Sequence, residues 1–385
     1  MRAPIFIGSA FVAQYPSGGG VFWVPLRYVR GLRDLGHEAY WLELLWTRGD
    51  AAVDRECIDT FLGHAREFGV SDQVALLYFP EGTRDEPVDR VEHFGMSAAA
   101  YAERRRDGLL LNLSNSITAP LRASFGRTAL FDLDPGTFQL WARDWDMGVG
   151  SHDAHLTIGM NLGEPDSPIP LGGVAWSRVW PMVHLGSWPV QPPPAPDAPY
   201  TTVTQWWNNH YAFLDGETYD CNKRSGFLPL LPLAQRITPR LEIAANLHPD
   251  ETEDRALLAR DGWRLVDPSV VAGTPATFQR YVQRSRGELS ATKPAYVKAR
   301  AGWISDRTVC YLASGRPCIV EETGVAAHLP ANPGLRTFST VEQAADAVRA
   351  VEADYAAASR GARALAQEVF ATRVVLPGLL AAAGA

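Results

Sequence analysis

The chain of 385 residues has no surplus of basic charge: 36 lysines and arginines stand against 43 aspartates and glutamates, a formal net charge of −7. That balance argues against nucleic acid or an anionic membrane surface as partner, since both need a basic footprint. It leaves open a small anion held by a few local cations. Cysteine is scarce. Cys57, Cys221, Cys310 and Cys318 show no C-x-x-C spacing, so a zinc or thioredoxin-like motif is unsupported and reduced, buried thiols are expected. Long apolar runs are missing too. Residues 3–26 carry no charge, but Gly8, Gln14, Pro16, Ser17 and the triplet Gly18, Gly19, Gly20 interrupt them, which excludes a spanning helix and resembles no signal peptide. The apolar residues 374–385 are too few to span and read as a docking segment. A soluble, cytoplasmic protein is expected, and no repeat of fixed period is visible.

The length suggests two or three domains. A short apolar run at 5–8, a loop reaching Gly20, and apolar residues at Val21, Val24, Tyr28, Leu32 and Leu35 describe strand, loop and amphipathic helix. Arg27, Arg30 and Arg33 fall on the opposite, polar face, and Gly36 closes the helix. A second strand at 39–42 completes a β-α-β unit with parallel strands. Further strands are predicted at 109–113 and 128–133. The proline run at 188–196 reads as a stiff, extended linker. Beyond it, predicted strands at 201–205, 241–245, 263–266, 288–292, 317–320 and 335–338 alternate with helices near 224–236, 252–260 and 274–284. Alternation of this kind means a doubly wound parallel sheet. An Ala-rich helix covers 341–370, and Pro377-Gly378 is expected to break its continuation. The expected fold class is therefore α/β, two Rossmann-like doubly wound domains facing each other across a cleft: residues 1–190, 200–370, and a terminal segment 371–385 packing back on the first. Ligands of such folds bind beyond the strand C-termini.

The sharpest local signal runs from Gly302 through Trp303, Ser305, Asp306 and Arg307 to Gly315 and Pro317, then Glu322, Thr323 and Gly324. Ser305 is a good N-cap and Gly315 a good C-terminal glycine, so a short capped helix feeds a buried strand. Its N-terminus offers free N–H groups suited to a diphosphate, and Arg307 would add a charge-assisted bond. On that reading Arg307→Ala removes ligand binding and spares the unliganded melt. The plain alternative is that Ser305 and Asp306 only cap the helix while Arg307 pairs with Asp306.

These residues resemble the donor half of nucleotide-sugar glycosyltransferases with the two-Rossmann-domain (GT-B) fold. Residues 313–317 (Ala-Ser-Gly-Arg-Pro) and 321–324 (Glu-Glu-Thr-Gly) match the family's order of short helix, buried strand and donor loop. At the other end, Gly18–Gly20 and the Leu-Gly-His-Glu of residues 35–38 match its opening. The resemblance implies transfer of a sugar from a donor such as a UDP- or dTDP-sugar, bound by the second domain, to a small-molecule, natural-product or glycan acceptor bound by the first. No metal is expected, since His152 and His155 have no evident third ligand and Asp132 and Asp134 lie in the wrong half, and no cofactor is expected beyond the donor as co-substrate. A second copy of the chain, in a homodimer, is the other partner considered. One departure stands out: Cys310 occupies the position where many relatives carry a ribose-binding Glu, which leaves Asp306 or Glu322 for that task.

Other candidates follow from position. Lys223, beyond the first strand of the second domain, and Ser290 and Lys293, at a strand end, are candidate donor contacts; each lysine could equally be a solvated surface cation. Asp132 and Asp134 end a strand of the first domain, in the wrong half for a donor diphosphate. His152, Asp153 and His155 set two imidazoles beside a carboxylate, the components of an acceptor-deprotonating base; a structural hydrogen-bonded cluster is the alternative, and Asp134 is weighed as a catalytic acid on the same terms. Trp23, Trp41, Trp46, Trp141 and Trp145 are either acceptor-facing or core. The rival functions are an epimerase on the same fold, a sensor that binds sugar nucleotides without turnover, and an NAD-dependent oxidoreductase with Glu43 on the ribose. The last lacks the G-x-G-x-x-G that should follow the first strand.

Overall fold

The computed structural model describes residues 3–81, 90–208 and 210–385. The first lobe is built on a sheet of β1 (Ile5–Ser9), β2 (Ala39–Trp46), β3 (Val74–Phe79), β4 (Glu92–Gly95), β5 (Leu109–Leu113), β6 (Arg127–Asp132), β7 (Ala154–Thr157) and β8 (Ser177–Arg178). Their spatial order is β4-β3-β2-β1-β5-β6-β7-β8, parallel throughout except β3 against β4. The second lobe holds β9 (Tyr200–Thr204), β12 (Leu241–Ala245), β13 (Trp263–Val266), β14 (Gly287–Ser290), β15 (Cys318–Glu321) and β16 (Leu335–Phe338) in the all-parallel order β13-β12-β9-β14-β15-β16. Between β9 and β12 a hairpin of β10 (Tyr211–Leu214) and β11 (Glu217–Asp220) turns through Asp215 and Gly216, both at positive φ, as a two-residue Asp-Gly turn requires.

Strand order reverses beside β1 in one sheet and beside β9 in the other. Each reversal opens a crevice at the strand C-termini, and the two crevices face each other. The first helix, Gly19–Asp34, follows β1 and ends at Gly36, whose φ of +78° only glycine adopts without strain. The structure turns two of its arginines inward: Arg27 is 4% exposed and Arg30 half-buried, because the second lobe and the linker cover the face that the residue pattern marks as polar.

Side chains of both lobes share one continuous core. Trp23 of the first helix packs on Trp188 of the linker at 4.8 Å, and Trp188 meets Phe278 of the helix Pro275–Arg284. The proline run is stapled to the second lobe by Arg316 on the Pro192 carbonyl and Arg363 on the Trp188 carbonyl. Three expectations for helices fail. The stretch 341–370 is not one helix but Val341–Ala353 and Tyr355–Leu365, parted at Asp354, whose side chain caps the second, and then a π-helical turn at Ala366–Phe370. Residues 223–235 form a short helix, Lys223–Phe227, and then a 3-10 segment, Leu228–Gln235, because Pro229 and Pro232 remove donors that an α-helix needs. Conversely, Pro377 does not stop the last helix, Thr372–Ala383. Pro377 and Arg373, whose carbonyl loses its partner, both face water, while Val375, Leu376, Leu379 and Leu380 are buried. That helix lies on the first lobe: Thr372 and Leu376 crowd Gly31, and Arg127 Nε donates to the Ala383 carbonyl at 2.6 Å. Among the described residues no helix is long and apolar enough to cross a membrane.

Candidate ligand-binding cleft

One half of the space between the lobes is an open cavity of about 1250 Å³. Its floor is the C-terminal ends of β9, β12 and β13; its opposite wall is the loop after β1, with Phe11 and Tyr15, and the start of the first helix. Ser305, Asp306, Arg307, Lys223 and Gly18–Gly20 all line it. Ser290, Lys293, Trp303, Glu322, Thr323, Gly324, Asp134, His152, Asp153 and His155 do not.

The helix Asp306–Ala313 starts in this cavity. Ser305 caps it, its hydroxyl accepting from Arg307 N at 3.2 Å, and Gly315 closes it at φ +72°. The pairing of its charges differs from both sequence readings. Asp306 pairs with Arg27 of the other lobe at 2.6 Å. The Arg307 guanidinium is engaged within its own lobe, with Nε on the Glu288 carboxylate and its terminal nitrogens on the Val203 carbonyl and the Ser290 hydroxyl, each at 2.6 Å. Glu288 is fully buried. Arg307 is thus a buried structural cation that also faces the cavity, and Ser290, 4% exposed and bonded to Arg307, is removed from any ligand.

Lys293 likewise has a partner: its Nζ reaches Asp134 across the lobes at 2.6 Å and Tyr296 Oη at 3.2 Å. Lys223 differs. Its side chain faces the cavity, and among the described residues no acidic partner pairs with it. Burial first, then the positive charges of Arg307 and Lys293, pull its pKa from 10.5 down to about 7.

The Gly18–Gly20 triplet allows the lobes to touch. Gly19 N donates to the Ala272 carbonyl at 3.1 Å, and a Cβ on Gly19 would overlap the Thr274 carbonyl. A Cβ on Gly20 would press on the Phe278 ring. Glu43, absent from the site candidates except as a ribose acid, is fully buried beneath this wall. It accepts from Val12 N at 2.8 Å, Ala13 N at 3.0 Å, Trp41 Nε1 at 3.1 Å and the Ser9 hydroxyl, so it fixes the loop that carries Phe11 and Tyr15. A carboxylate engaged in this way has no lone pair for a nicotinamide cofactor's ribose, and that rival loses its anchor.

The other half of the interlobe space is closed by protein. Thr323 is buried with its hydroxyl on the Trp303 carbonyl at 2.7 Å; the Glu322 carboxylate accepts from Gly324 N at 2.6 Å. Gly324, at φ +89°, lies so close to Asn161 of the first lobe that a Cβ would overlap its amide, and Asn161 in turn donates to the Arg300 carbonyl at 2.8 Å. Trp303 packs on Tyr296 at 4.8 Å. Of these sequence candidates Gly324 meets the other lobe at Asn161, while Thr323 and Glu322 bond within their own lobe, Glu322 capping its own turn through one carboxylate oxygen.

The histidine cluster is also a correction. His152 is buried, its Nε2 accepting from the Asn112 amide at 3.0 Å and its Nδ1 on the Gly148 carbonyl at 3.1 Å. Burial, helped by Arg122, pushes it down to about 4. His155 Nε2 donates to the Val149 carbonyl at 2.7 Å, and Asp153 accepts from Thr128 N and Oγ1, not from either imidazole. The cluster contains no His-Asp dyad. Asp132 is buried on Gln139 and Thr157, which, with burial dominant, leaves it raised to about 6. Of the tryptophans, Trp23 and Trp41 are core, Trp46 stacks on Phe79, Trp141 bonds the hairpin at the Tyr211 carbonyl, and Trp145 is exposed.

The same two-lobed architecture occurs in solved structures along the whole chain. S. aureus TarM, solved with Fondaparinux, alpha-GlcNAc-glycerol and UDP, is 8% identical with a TM-score of 0.59 and 100% of both chains covered. An alpha-glucosyltransferase in complex with UDP and DNA containing an HMU base gives 9%, 0.59 and the same coverage. Anabaena HepE with UDP-glucose gives 11%, 0.56 and the same coverage. No protein-family model and no curated protein matches the chain. The fold is that of the GT-B glycosyltransferases.

Proposed function

We propose that the protein is a glycosyltransferase that holds a nucleoside diphosphate sugar in the open half of the cleft and transfers the sugar to an acceptor hydroxyl. The observation that carries this reading is Lys223: of the cations that line the cavity, Arg27 and Arg307 have carboxylate partners and Arg255 is held by two backbone carbonyls, while Lys223 has no acidic partner among the described residues. A net positive charge is left facing a cavity that also receives a capped helix N-terminus, an arrangement that fits a diphosphate. As the donor's glycosidic bond breaks, charge gathers on the departing diphosphate, and fixed cations and amide dipoles stabilise it without reorganising. In this reading Lys223 and the start of the Asp306–Ala313 helix do that work, metal-independently, with Arg307 shaping the wall behind them. UDP or UDP-glucose in the three solved relatives supports UDP-sugars as the first donors to try, dTDP-sugars as the second. A cytoplasmic location and a small-molecule, natural-product or glycan acceptor complete the proposal.

A thermal-shift series with UDP, dTDP and their glucose conjugates tests it. A ligand at about a hundred times its Kd stabilises by about 2.7 kcal/mol, and release of nucleoside diphosphate on adding acceptor marks transfer. Acceptor-free formation of an epimer would point instead to the epimerase, and no shift with any of the four would overturn the donor site.

A further inference from the structure

The cleft continues sideways into a shallower cavity of about 500 Å³ at the C-terminal ends of β9 and β12, lined by Gln205, Trp207, Asn246, His248 and Glu251. All of these except Glu251 also line the cleft, so Trp207 stands where the two spaces meet. Its indole is fixed from behind. The Arg224 guanidinium lies 4.9 Å from the ring centre and is itself held by two bonds to the Asp254 carboxylate, at 2.7 and 2.8 Å. The indole N–H is bonded to Glu251, which also accepts from His248 N. Held at one face and one edge, Trp207 still keeps 36% of its surface exposed.

The alcove's chemistry differs from the cleft's. Neither lysine nor arginine lines it, and Glu251 would repel a phosphate. One carboxylate is too few for a divalent cation. The single apolar surface is the indole; around it stand the Gln205 and Asn246 amides, both exposed, and an imidazole. A flat aglycone would want an apolar slot on both faces. A ligand with one C–H face and a rim of hydroxyls matches one aromatic plane ringed by amide donors and acceptors.

We infer that this alcove binds a neutral pyranose ring, stacked on Trp207 with its hydroxyls on Gln205 and Asn246. The inference rests on the transferase reading and narrows its acceptor to a saccharide, one of whose rings is held on the second lobe beside the donor cleft and not only on the first lobe as the resemblance implies. The test follows the Trp207 indole N–H resonance, identified as the one missing in Trp207→Phe. The full-length protein, with UDP present in excess, is titrated with trisaccharides of α-1,4-glucose, β-1,4-glucose, β-1,4-mannose and β-1,4-N-acetylglucosamine. At least one should move that resonance saturably, and the double variant Gln205→Ala/Asn246→Ala should weaken it at least fivefold. Failure of all four trisaccharides, or an affinity indifferent to the double variant, overturns the inference while UDP binding stands. A UDP titration that moves nothing would overturn the transferase reading separately.

Discussion

The two halves of the interlobe space are built from the same kinds of residue and do opposite things. In the sealed half the charges that face across have protein partners: Lys293 has Asp134, Arg300 has Asp166, and Asn161 bridges to the Arg300 carbonyl. In the open half Arg27 and Asp306 pair and Arg307 and Glu288 pair, while Lys223 and Arg255 have no carboxylate partner among the described residues, Arg255 being tied to the Leu247 and His248 carbonyls. A cation paired by protein holds lobes together; a cation left unpaired in a cavity is free to meet a ligand. Charge content alone therefore does not locate a site. The bookkeeping of partners does.

Breaking the pair behind the open half should have the largest effect. Arg307→Ala leaves the fully buried Glu288 carboxylate without its cation, and losing one partner of a buried pair costs about 3–5 kcal/mol. Urea denaturation should show that loss before any ligand is added, against the residue-level expectation that the unliganded melt is spared. Gly19→Ala should come next. The added methyl meets the Thr274 backbone carbonyl, and overpacking of this kind costs about 1–3 kcal/mol; because Gly19 also lines the cavity, UDP affinity measured by calorimetry should fall with it. The same substitution at Gly324 sharpens the contrast. There a left-handed φ and the Asn161 amide oppose a side chain, so stability should drop by about 1–2 kcal/mol, with UDP affinity unchanged.

Much of the fold is legible in the sequence because parallel strands buried on both faces read as short apolar runs. β5, β12, β13 and β16 fall where the residue pattern puts them, and β9, β14 and β15 within a residue or two. The Ser305 cap and the helix-ending turn at Gly315 are legible because capping is local chemistry. Pairing is not local. Arg307, on a helix, finds Glu288 on a strand, Arg27 finds Asp306 in another lobe, and nothing in the spacing of either says so. The His152–His155 cluster shows the converse: adjacency in the chain sets an acid beside two imidazoles, yet the fold sends Asp153 to Thr128 and each ring to a different acceptor. Trp207 and Glu251 escape a reading of the sequence because their meeting depends on two loops that converge only in the folded sheet.

The smallest effect is one of pH. Lys223 titrates near 7 in the folded protein and at about 10.5 when exposed. Between those values the folded protein has given up a proton that the unfolded chain keeps, so stability should rise with pH across that window. Anion affinity should run the other way, falling as pH climbs through 7 and the ammonium is lost. Denaturation midpoints and UDP titrations at about pH 6.5, 7.5 and 8.5 check both slopes, which Lys223→Met should flatten.

The most direct measurement is calorimetric titration of UDP into the wild-type protein and Lys223→Met on the acid side of that titration. A charged donor to a phosphate is worth about 1.5–3 kcal/mol, so the variant should keep its fold and bind UDP about ten- to a hundredfold more weakly. Equal affinities in the two proteins would contradict the account.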